Sequence, residues 1–346
     1  MKQRILSLFP ATLIIIFTGC FIFFSFFYPL LADDFRFREV LQTHSIRSAA
    51  FLFYTDSNGR LASHFFLCTV FALFSGSRLL MFVYRLLMLY AFVFSLAFLL
   101  KNYLHRFRNT QLKFAGSVYW SAFITSVFFF IFFAGRMETW FWISATGVYL
   151  ASLIISMNAF ALLLKNTNAA AFFSALLFFL AGGFSESFAL TYFVILLLLC
   201  IGTIKTKRIR LLHVALCMLS IAGGIALNVF SHGLSNRLGW LPEFHLLQAL
   251  KNTLHSLGFL LLRWQYLPVA VLTAGLFTWY ANTFYPGKFV LKDLLRQGGI
   301  VLAVIAFSFA VPCYVLSDIV PDRAASLGYL CGVLFLFDFF LFRKLN

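Results

Sequence analysis

Charged residues are scarce in this chain. Asp, Glu, Lys and Arg together make up 11% of its 346 residues, against roughly 25% in an ordinary soluble domain. Hydrophobic residues reach 62%, and the mean hydropathy is +0.93. A soluble globular protein is therefore excluded. The apolar runs of about 20 residues are long enough to cross a hydrocarbon core of roughly 30 Å, and they predict an integral membrane protein.

The chain also lacks the patterns of metal-binding and nucleic-acid-binding domains. Its six cysteines fall inside apolar runs without CxxC spacing, which is typical of packing residues. The net charge of +16 comes from basic residues grouped in short segments beside apolar runs, with no basic stripe carrying interleaved aromatics. These observations argue against a zinc site, a disulfide framework and a nucleic-acid partner.

Apolar runs recur along the whole chain and predict a polytopic all-α bundle of about ten or eleven transmembrane helices in one domain, residues 1–346. They lack the alternation of barrel strands, so each must satisfy its backbone hydrogen bonds as a helix. The first run is longer than the apolar part of a signal peptide and predicts a retained helix. The runs are 5–31, 61–76, 79–100, 114–134, 141–164, 169–183, 187–204, 211–230, 265–284, 299–317 and 324–342.

Two further stretches mix apolar with polar residues, as helices lying in the membrane interface do. Residues 35–54 intersperse aromatic side chains with arginines, which suits a helix at the membrane surface. Residues 243–263 are flanked by Trp240 and Trp264, and tryptophan is enriched at the membrane boundary. We expect an interfacial helix in each.

Lysine and arginine indicate the orientation, because basic segments favour the cytoplasmic side. They concentrate at the N-terminus and at 101–113, 165, 205–210, 288–296 and 343–344. The N-terminus is therefore expected in the cytoplasm. Nine of the eleven acidic residues then fall at the opposite face, either as a functional cluster or because the few polar loops on that side hold them.

This assignment leaves a problem of parity. If 61–76 and 79–100 both cross the membrane, the basic segment 101–113 emerges on the outer side. Either 61–76, which is short and broken by Ser75-Gly76-Ser77, is re-entrant or interfacial, or the basic segment is outside and binds an anionic partner. The sequence leaves both alternatives open.

The acidic pair Asp33-Asp34 directly after the first predicted helix is the most informative motif. Neighbouring side chains at a helix start can diverge, one binding substrate while the other caps the backbone. The alternative is that both only cap the interfacial helix. Glu186, between two short apolar runs, is the next candidate, because a carboxylate at bilayer depth is costly and marks either a function or a paired partner such as Arg323 or Arg136.

Other candidates lie where predicted helices meet on the same face. Arg60 offers a planar fork suited to a phosphate, and the alternative is that it only extends toward lipid headgroups. The other members of this predicted binding set are His64, Glu138, Trp140, Tyr149, Asp322 and Arg323.

With these elements in place, the chain resembles the multi-pass GT-C-type membrane glycosyltransferases, especially bacterial Gtr-like members and uncharacterised membrane proteins. The matching elements are Asp33-Asp34-Phe35, Asn58-Gly59-Arg60, Trp140 with Gly147 and Tyr149, Glu186, and Pro321-Asp322-Arg323. The resemblance spans most of the chain, although each motif is short. Unlike larger members, this chain is expected to lack a C-terminal soluble domain.

The resemblance implies transfer of a sugar from a polyprenyl-phosphate donor to a glycan, lipid or other envelope acceptor on the non-cytoplasmic face of the bacterial inner membrane. It also implies that an acid in the first outer loop binds or deprotonates the acceptor. Asp33 or Asp34 can serve as a general base, and Glu186 completes the predicted catalytic set. Arg60 and Arg323 can hold the departing phosphate. Paired acids leave Mg²⁺ or Mn²⁺ open as a cofactor.

A transporter or flippase for a lipid-linked or anionic substrate is the competing interpretation, with a non-catalytic membrane scaffold as a third. Transporters commonly show paired broken helices within internal repeats. Here the breaks at Ser75-Gly76-Ser77 and Gly182-Gly183 do not form an obvious pair. The charges also collect at one face instead of at the midplane. Glycosyl transfer therefore remains the preferred hypothesis.

Overall fold

The structure, a computed structural model, describes residues 2–108, 115–132, 136–233, 235, 246–262, 299–300, 302–310, 313, 327–328, 330–331 and 334. Within these residues the chain is helical and contains no strand, which confirms the all-α class. The helices are α1 Lys2–Phe27, α2 Ala32–Thr43, α3 Ile46–Phe53, α4 Leu61–Phe74, α5 Arg78–Tyr103, α6 Ala115–Phe132, α7 Arg136–Phe141, α8 Ile143–Ala145, α9 Ala151–Lys165, α10 Asn168–Gly182, α11 Glu186–Thr206, α12 Leu211–Val229 and α13 Leu246–Leu262.

Four helical stretches among the described residues are long and apolar enough to cross a membrane: Arg78–Arg106, Ile143–Lys165, Glu186–Ile204 and Leu211–Val229. A fifth results if Ile15–Phe27 and Ala32–Thr43, bent by 55°, count as one broken span. The membrane character of the chain is thus supported, with fewer described spans than predicted. The predicted run 265–284 lies outside the described residues, and most of 324–342 does too.

The predicted interfacial region 35–54 contains two helices instead of one. The chain bends at His44, and Ser45 begins α3 by accepting a hydrogen bond from the Ser48 amide at 3.3 Å. Serine at this position satisfies one of the free amides of a helix start, which explains the break. The second predicted region, 243–263, contains the helix α13.

Helices α1 and α5 run antiparallel. Near the start of α5, the Phe82 ring lies 6.1 Å from that of Phe26, and Arg85 donates to the Ser25 carbonyl at 2.5 Å. Further along α5, Phe92 contacts Trp140. Trp140 also contacts Phe21, which lies one turn before Ser25 in α1. The start of α5 therefore lies beside the end of α1.

This register bears on the parity problem, because the contacts of α4 lie at one end of the bundle, which favours the first alternative, a re-entrant or interfacial 61–76. Its first turn meets Gly183, its middle packs on Gly147, and Phe71 stacks on Phe37 of α2 at 5.5 Å. All three partners belong to segments at the end of the bundle where α1 finishes. The basic segment that follows α5 consequently lies at the opposite end of the helices.

Helices α9 to α12 alternate between these two ends. Asn158 of α9 donates to Ser95 of α5 at 2.6 Å. His213, at the start of α12, lies 3.1 Å from Asn168, at the start of α10. We call the end that carries Asp33, Arg60 and Glu186 the site end. The opposite end, which carries residues 101–108, 165 and 207–210, is the basic end.

A close glycine crossing joins α10 to α12. A Cβ atom on Gly224 would lie 2.3 Å from the Phe179 carbonyl oxygen, and one on Gly182 would lie 2.8 Å from the Ile221 carbonyl oxygen. Small residues let helix backbones approach in membranes, where lipid provides no hydrophobic drive to association. Asn228 closes the site end of this crossing by donating to the Gly182 carbonyl at 3.0 Å.

Candidate functional site

Arg60 and Glu186 form an ion pair at the site end. The Arg60 Nη2 lies 2.9 Å from a Glu186 carboxylate oxygen, and its Nε lies 3.0 and 3.2 Å from the two oxygens. The side chains are only 12% and 16% exposed. Arg60 also hydrogen-bonds Tyr149. Three residues predicted separately from the sequence are therefore brought together.

Glycines with no room for a side chain hold this cluster in place. Gly59 has a φ of 73°, and a Cβ there would lie 1.8 Å from the Ser231 hydroxyl oxygen. Only glycine readily adopts that backbone conformation, so it ends the turn before Arg60. Gly183 lies against Ala62, with a Cβ distance of 2.9 Å, which brings the start of α11 and Glu186 to the start of α4.

Two π-helical turns flank the same cluster. Tyr54–Asn58 directly precedes the Gly59 turn, and Thr146–Leu150 carries Tyr149. Such turns are rare in proteins and occur frequently at functional sites. Tyr54 ties the first of them to α12 by donating to the Leu227 carbonyl at 2.8 Å. The cluster thus rests on three segments distant in sequence.

The electrostatics of the pair keep Arg60 charged. Burial by itself lowers the pKa of its guanidinium, but Glu186 and Tyr149 outweigh that cost and raise the pKa above its ordinary value. Because its guanidinium is already paired with Glu186, Arg60 would attract a phosphate less strongly than the unpaired arginine that the sequence suggested. Among the described side chains Glu186 pairs with Arg60, whereas Arg323 and the side chain of Arg136, the partners predicted from the sequence, lie outside them.

His64 lies one turn beyond Arg60 and is 3% exposed. Its ring stacks on Phe53 at 5.5 Å and lies 6.0 Å from Phe37. Burial, together with the charges of Arg60 and Arg36, lowers its pKa to about 3. The imidazole is therefore uncharged at neutral pH. It packs next to the cluster and cannot attract a phosphate by charge.

The two acids of the Asp33-Asp34 pair diverge. Asp33 is exposed, whereas Asp34 is 0% exposed. Asp34 accepts from the Leu31 amide at 3.1 Å, from the Ser144 amide at 3.0 Å and from the Ser144 hydroxyl at 2.5 Å. It therefore caps α2 and fastens that helix to α8. Burial raises the pKa of Asp34, while the bonds from Ser144 and Leu31 and the charge of Arg85 lower it.

Arg85 is a central polar residue that sequence reasoning missed. It is 2% exposed within α5, donating from Nε to the Phe141 carbonyl at 3.1 Å and from Nη1 to the Ser25 carbonyl. Its guanidinium carbon also lies 5.7 Å from the centre of the Tyr28 ring. The available signal was a lone arginine inside the apolar run 79–100, since intramembrane charges usually carry a function.

The remaining predicted binding residues occupy different surroundings. Trp140 is 1% exposed, and the rings of Phe21, Phe92 and Phe129 lie within 6.0 Å of it. That is the placement of a core side chain. Glu138 is partly buried and acts electrostatically on Tyr28. Asp322 and Arg323 lie outside the described residues.

A metal centre finds no support in the part of the chain that the structure describes. There, no group of three or more His, Cys, Asp or Glu side chains is arranged to hold an ion. The six cysteines are free thiols. The metal dependence of the protein therefore stays open.

Comparisons with known proteins do not assign this chain to a family. No protein-family model matches it, and neither the curated proteins nor the solved structures contain a match. The functional argument therefore depends on the residues of this chain and their geometry.

Proposed function

We propose that the protein is a membrane glycosyltransferase that takes its sugar from a polyprenyl-phosphate donor at the site end of the bundle. One observation carries the proposal: Arg60, Glu186 and Tyr149 converge at the end that also presents Asp33. Arg60 and Glu186 are separated by 126 positions in the sequence. A lipid-linked donor must be met at the end of the helices, where its sugar leaves the bilayer.

Transfer requires an acceptor hydroxyl to lose its proton as it attacks the anomeric carbon of the sugar. A bond forms between the acceptor oxygen and that carbon. The bond from the carbon to the phosphate oxygen breaks, and polyprenyl phosphate leaves with the electron pair. In the proposed mechanism Asp33 takes the proton, because it is the exposed carboxylate of the pair.

Asp34 has a positioning role in this proposal. All its hydrogen bonds go to Leu31 and Ser144, and its side chain is inaccessible to an acceptor. It fixes the first turn of α2, from which Asp33 projects. Glu186 supplies a carboxylate and Tyr149 a phenol, and both of these groups bind sugar hydroxyls.

The proposal is tested with membrane vesicles from cells that overproduce the chain, supplied with a polyprenyl-phosphate sugar labelled in the sugar. The wild-type chain should consume the donor and release polyprenyl phosphate. Asp33→Asn should slow this reaction by about 10²–10⁴-fold, the usual loss for a positioned general base. Glu39→Gln, which changes another exposed acid of α2, is the matched control and should keep the wild-type rate.

Two results would overturn the proposal. Equal donor consumption by the wild-type and Asp33→Asn chains would remove the catalytic base. Movement of intact labelled donor across the vesicle membrane, with no cleavage, would identify transport instead of transfer.

A further inference from the structure

A cavity of about 420 Å³ opens where α1 ends and α5 begins. It lies between the extended residues 28–30, the first turns of α2 and the Ser75-Gly76-Ser77 break before α5. Neither Asp34 nor Glu186 lines it. The cavity is thus separate from the Arg60 and Glu186 pair, although both lie at the site end.

Three arginines line the cavity, and no acidic residue does: Arg38, Arg78 and Arg85. Arg38 and Arg78 are exposed and have no hydrogen-bond or ion-pair partner among the described residues. Arg85 is buried, and its Nη2 has no partner in the same part of the chain, since its two hydrogen bonds use Nε and Nη1. The Asp34 charge acts on Arg85, and no acidic side chain lines the cavity beside Arg38 and Arg78.

The start of α5 adds amide donors to this basic wall. Ser77 caps the helix, its hydroxyl accepting from the Leu80 amide at 3.2 Å. The Arg78 and Leu79 amides precede the first intrahelical bond, which runs from the Met81 amide to the Ser77 carbonyl. Free amides and the helix dipole at such an end favour a bound anion, and phosphate in particular.

Aromatic side chains form the other wall and continue onto the outer surface of α1. Phe26, Phe27 and Phe35 line the cavity and are 43%, 64% and 56% exposed. Phe23, one turn earlier in α1, is 58% exposed and packs on Phe27 at 4.9 Å. An apolar chain lying along α1 would meet this surface, whereas a small hydrated anion would gain nothing from it.

We propose that this cavity binds the phosphate group of a membrane lipid, with the lipid chain lying along α1. Arg38, Arg78 and Arg85 hold the phosphate, and the α5 amides complete the site. Two or three arginines around one phosphate give the parallel charge-assisted hydrogen bonds that this group prefers. The inference concerns lipid binding only and does not depend on glycosyl transfer.

The test measures lipid binding to the detergent-purified full chain by native mass spectrometry. Phosphatidic acid, which ends in a phosphate group, should bind saturably. Diacylglycerol with the same acyl chains should not. The double variant Arg38→Gln, Arg78→Gln should bind phosphatidic acid at least about tenfold more weakly, because each lost charged hydrogen bond is worth roughly a tenfold change or more in affinity.

Arg47→Gln is the matched control, since Arg47 is an exposed arginine of α3 outside the cavity. It should bind phosphatidic acid like the wild type, and all variants should keep the wild-type unfolding midpoint. Equal binding by the double variant and the wild type would overturn the proposal, as would diacylglycerol binding as tightly as phosphatidic acid. Inorganic phosphate competing as strongly as the lipid would show a free-anion site and overturn the lipid assignment.

Discussion

The pair formed by Arg60 and Glu186 illustrates how a mostly buried charge is tolerated at the end of a membrane bundle. Removing two charges from water costs several kcal/mol for each ion, and attraction repays the cost only where the geometry is good. Here the Arg60 Nε and Nη2 both contact the carboxylate, and Tyr149 adds a third bond. Loss of one partner would remove this attraction from a charge that stays mostly buried.

A double-mutant cycle tests this pair. Glu186→Gln should lower the free energy of unfolding by about 2–3 kcal/mol, because it leaves Arg60 charged and nearly buried. Arg60→Gln should act similarly. The double variant should lose less than the sum of the two, with a coupling energy of at least about 1 kcal/mol. Denaturant titration in detergent measures each value, and additive losses would contradict the ion pair.

Asp34 shows how far residue-level reasoning reaches. The sequence predicts that one acid of the Asp33-Asp34 pair binds substrate while the other caps the backbone, but it does not say which one. The structure buries Asp34 completely and gives it three donors from two segments, Leu31 and Ser144. Ser144 lies 110 residues away, so no local pattern signals the contact.

Among the helices, α4 is the one whose placement the sequence left open. Its 14 residues are apolar, and by composition alone they suit a membrane span. They instead lie among the site-end segments, because Gly147 and Gly183 let α4 pack against them closely. This helix carries both Arg60, at its N-cap, and His64. An apolar run thus contributes two residues of the candidate site.

The close crossing of α10 and α12 can be tested at two neighbouring glycines of α12, one of which serves as the control. Gly224→Ala should destabilise the protein by at least about 1–2 kcal/mol, because its Cβ would overlap the Phe179 carbonyl oxygen at 2.3 Å. Gly223→Ala changes the next residue of the same helix, where a Cβ would sit 3.4 Å from the Phe179 ring.

Gly223→Ala should be tolerated, since alanine is the better helix former by about 1 kcal/mol. Thermal unfolding of the purified variants compares the two. Equal effects at both positions would show that the close crossing does not exist in the folded protein.

At the scale of the whole molecule, the two ends of the bundle differ in where the acids lie. The site end carries the acids Asp33, Glu138 and Glu186 together with arginines such as Arg38 and Arg78, whereas residues 101–108, 165 and 207–210 of the basic end include no acid. Basic residues are kept on the cytoplasmic side during insertion. This separation predicts that the site end faces away from the cytoplasm.

Cysteine labelling in intact cells tests this topology, in a variant whose native cysteines have been replaced. Thr43→Cys and Gly76→Cys, before and after α4, should react with an impermeant maleimide from outside. His105→Cys, at the basic end of α5, should react only after permeabilisation. Labelling of positions 43 and 76 from opposite sides would mean that α4 crosses the membrane. Labelling of positions 76 and 105 from the same side would mean that α5 does not cross it.

Composition and local pattern were enough to determine the membrane character, the all-α class and the candidate residues at helix junctions, since these follow from apolar length and from the high cost of a charge in lipid. The tertiary structure decided the rest. It alone placed α4 at one end, paired Glu186 with Arg60 and buried Asp34 against Ser144. Each of these depends on contacts between segments far apart in sequence, which helical periodicity does not encode.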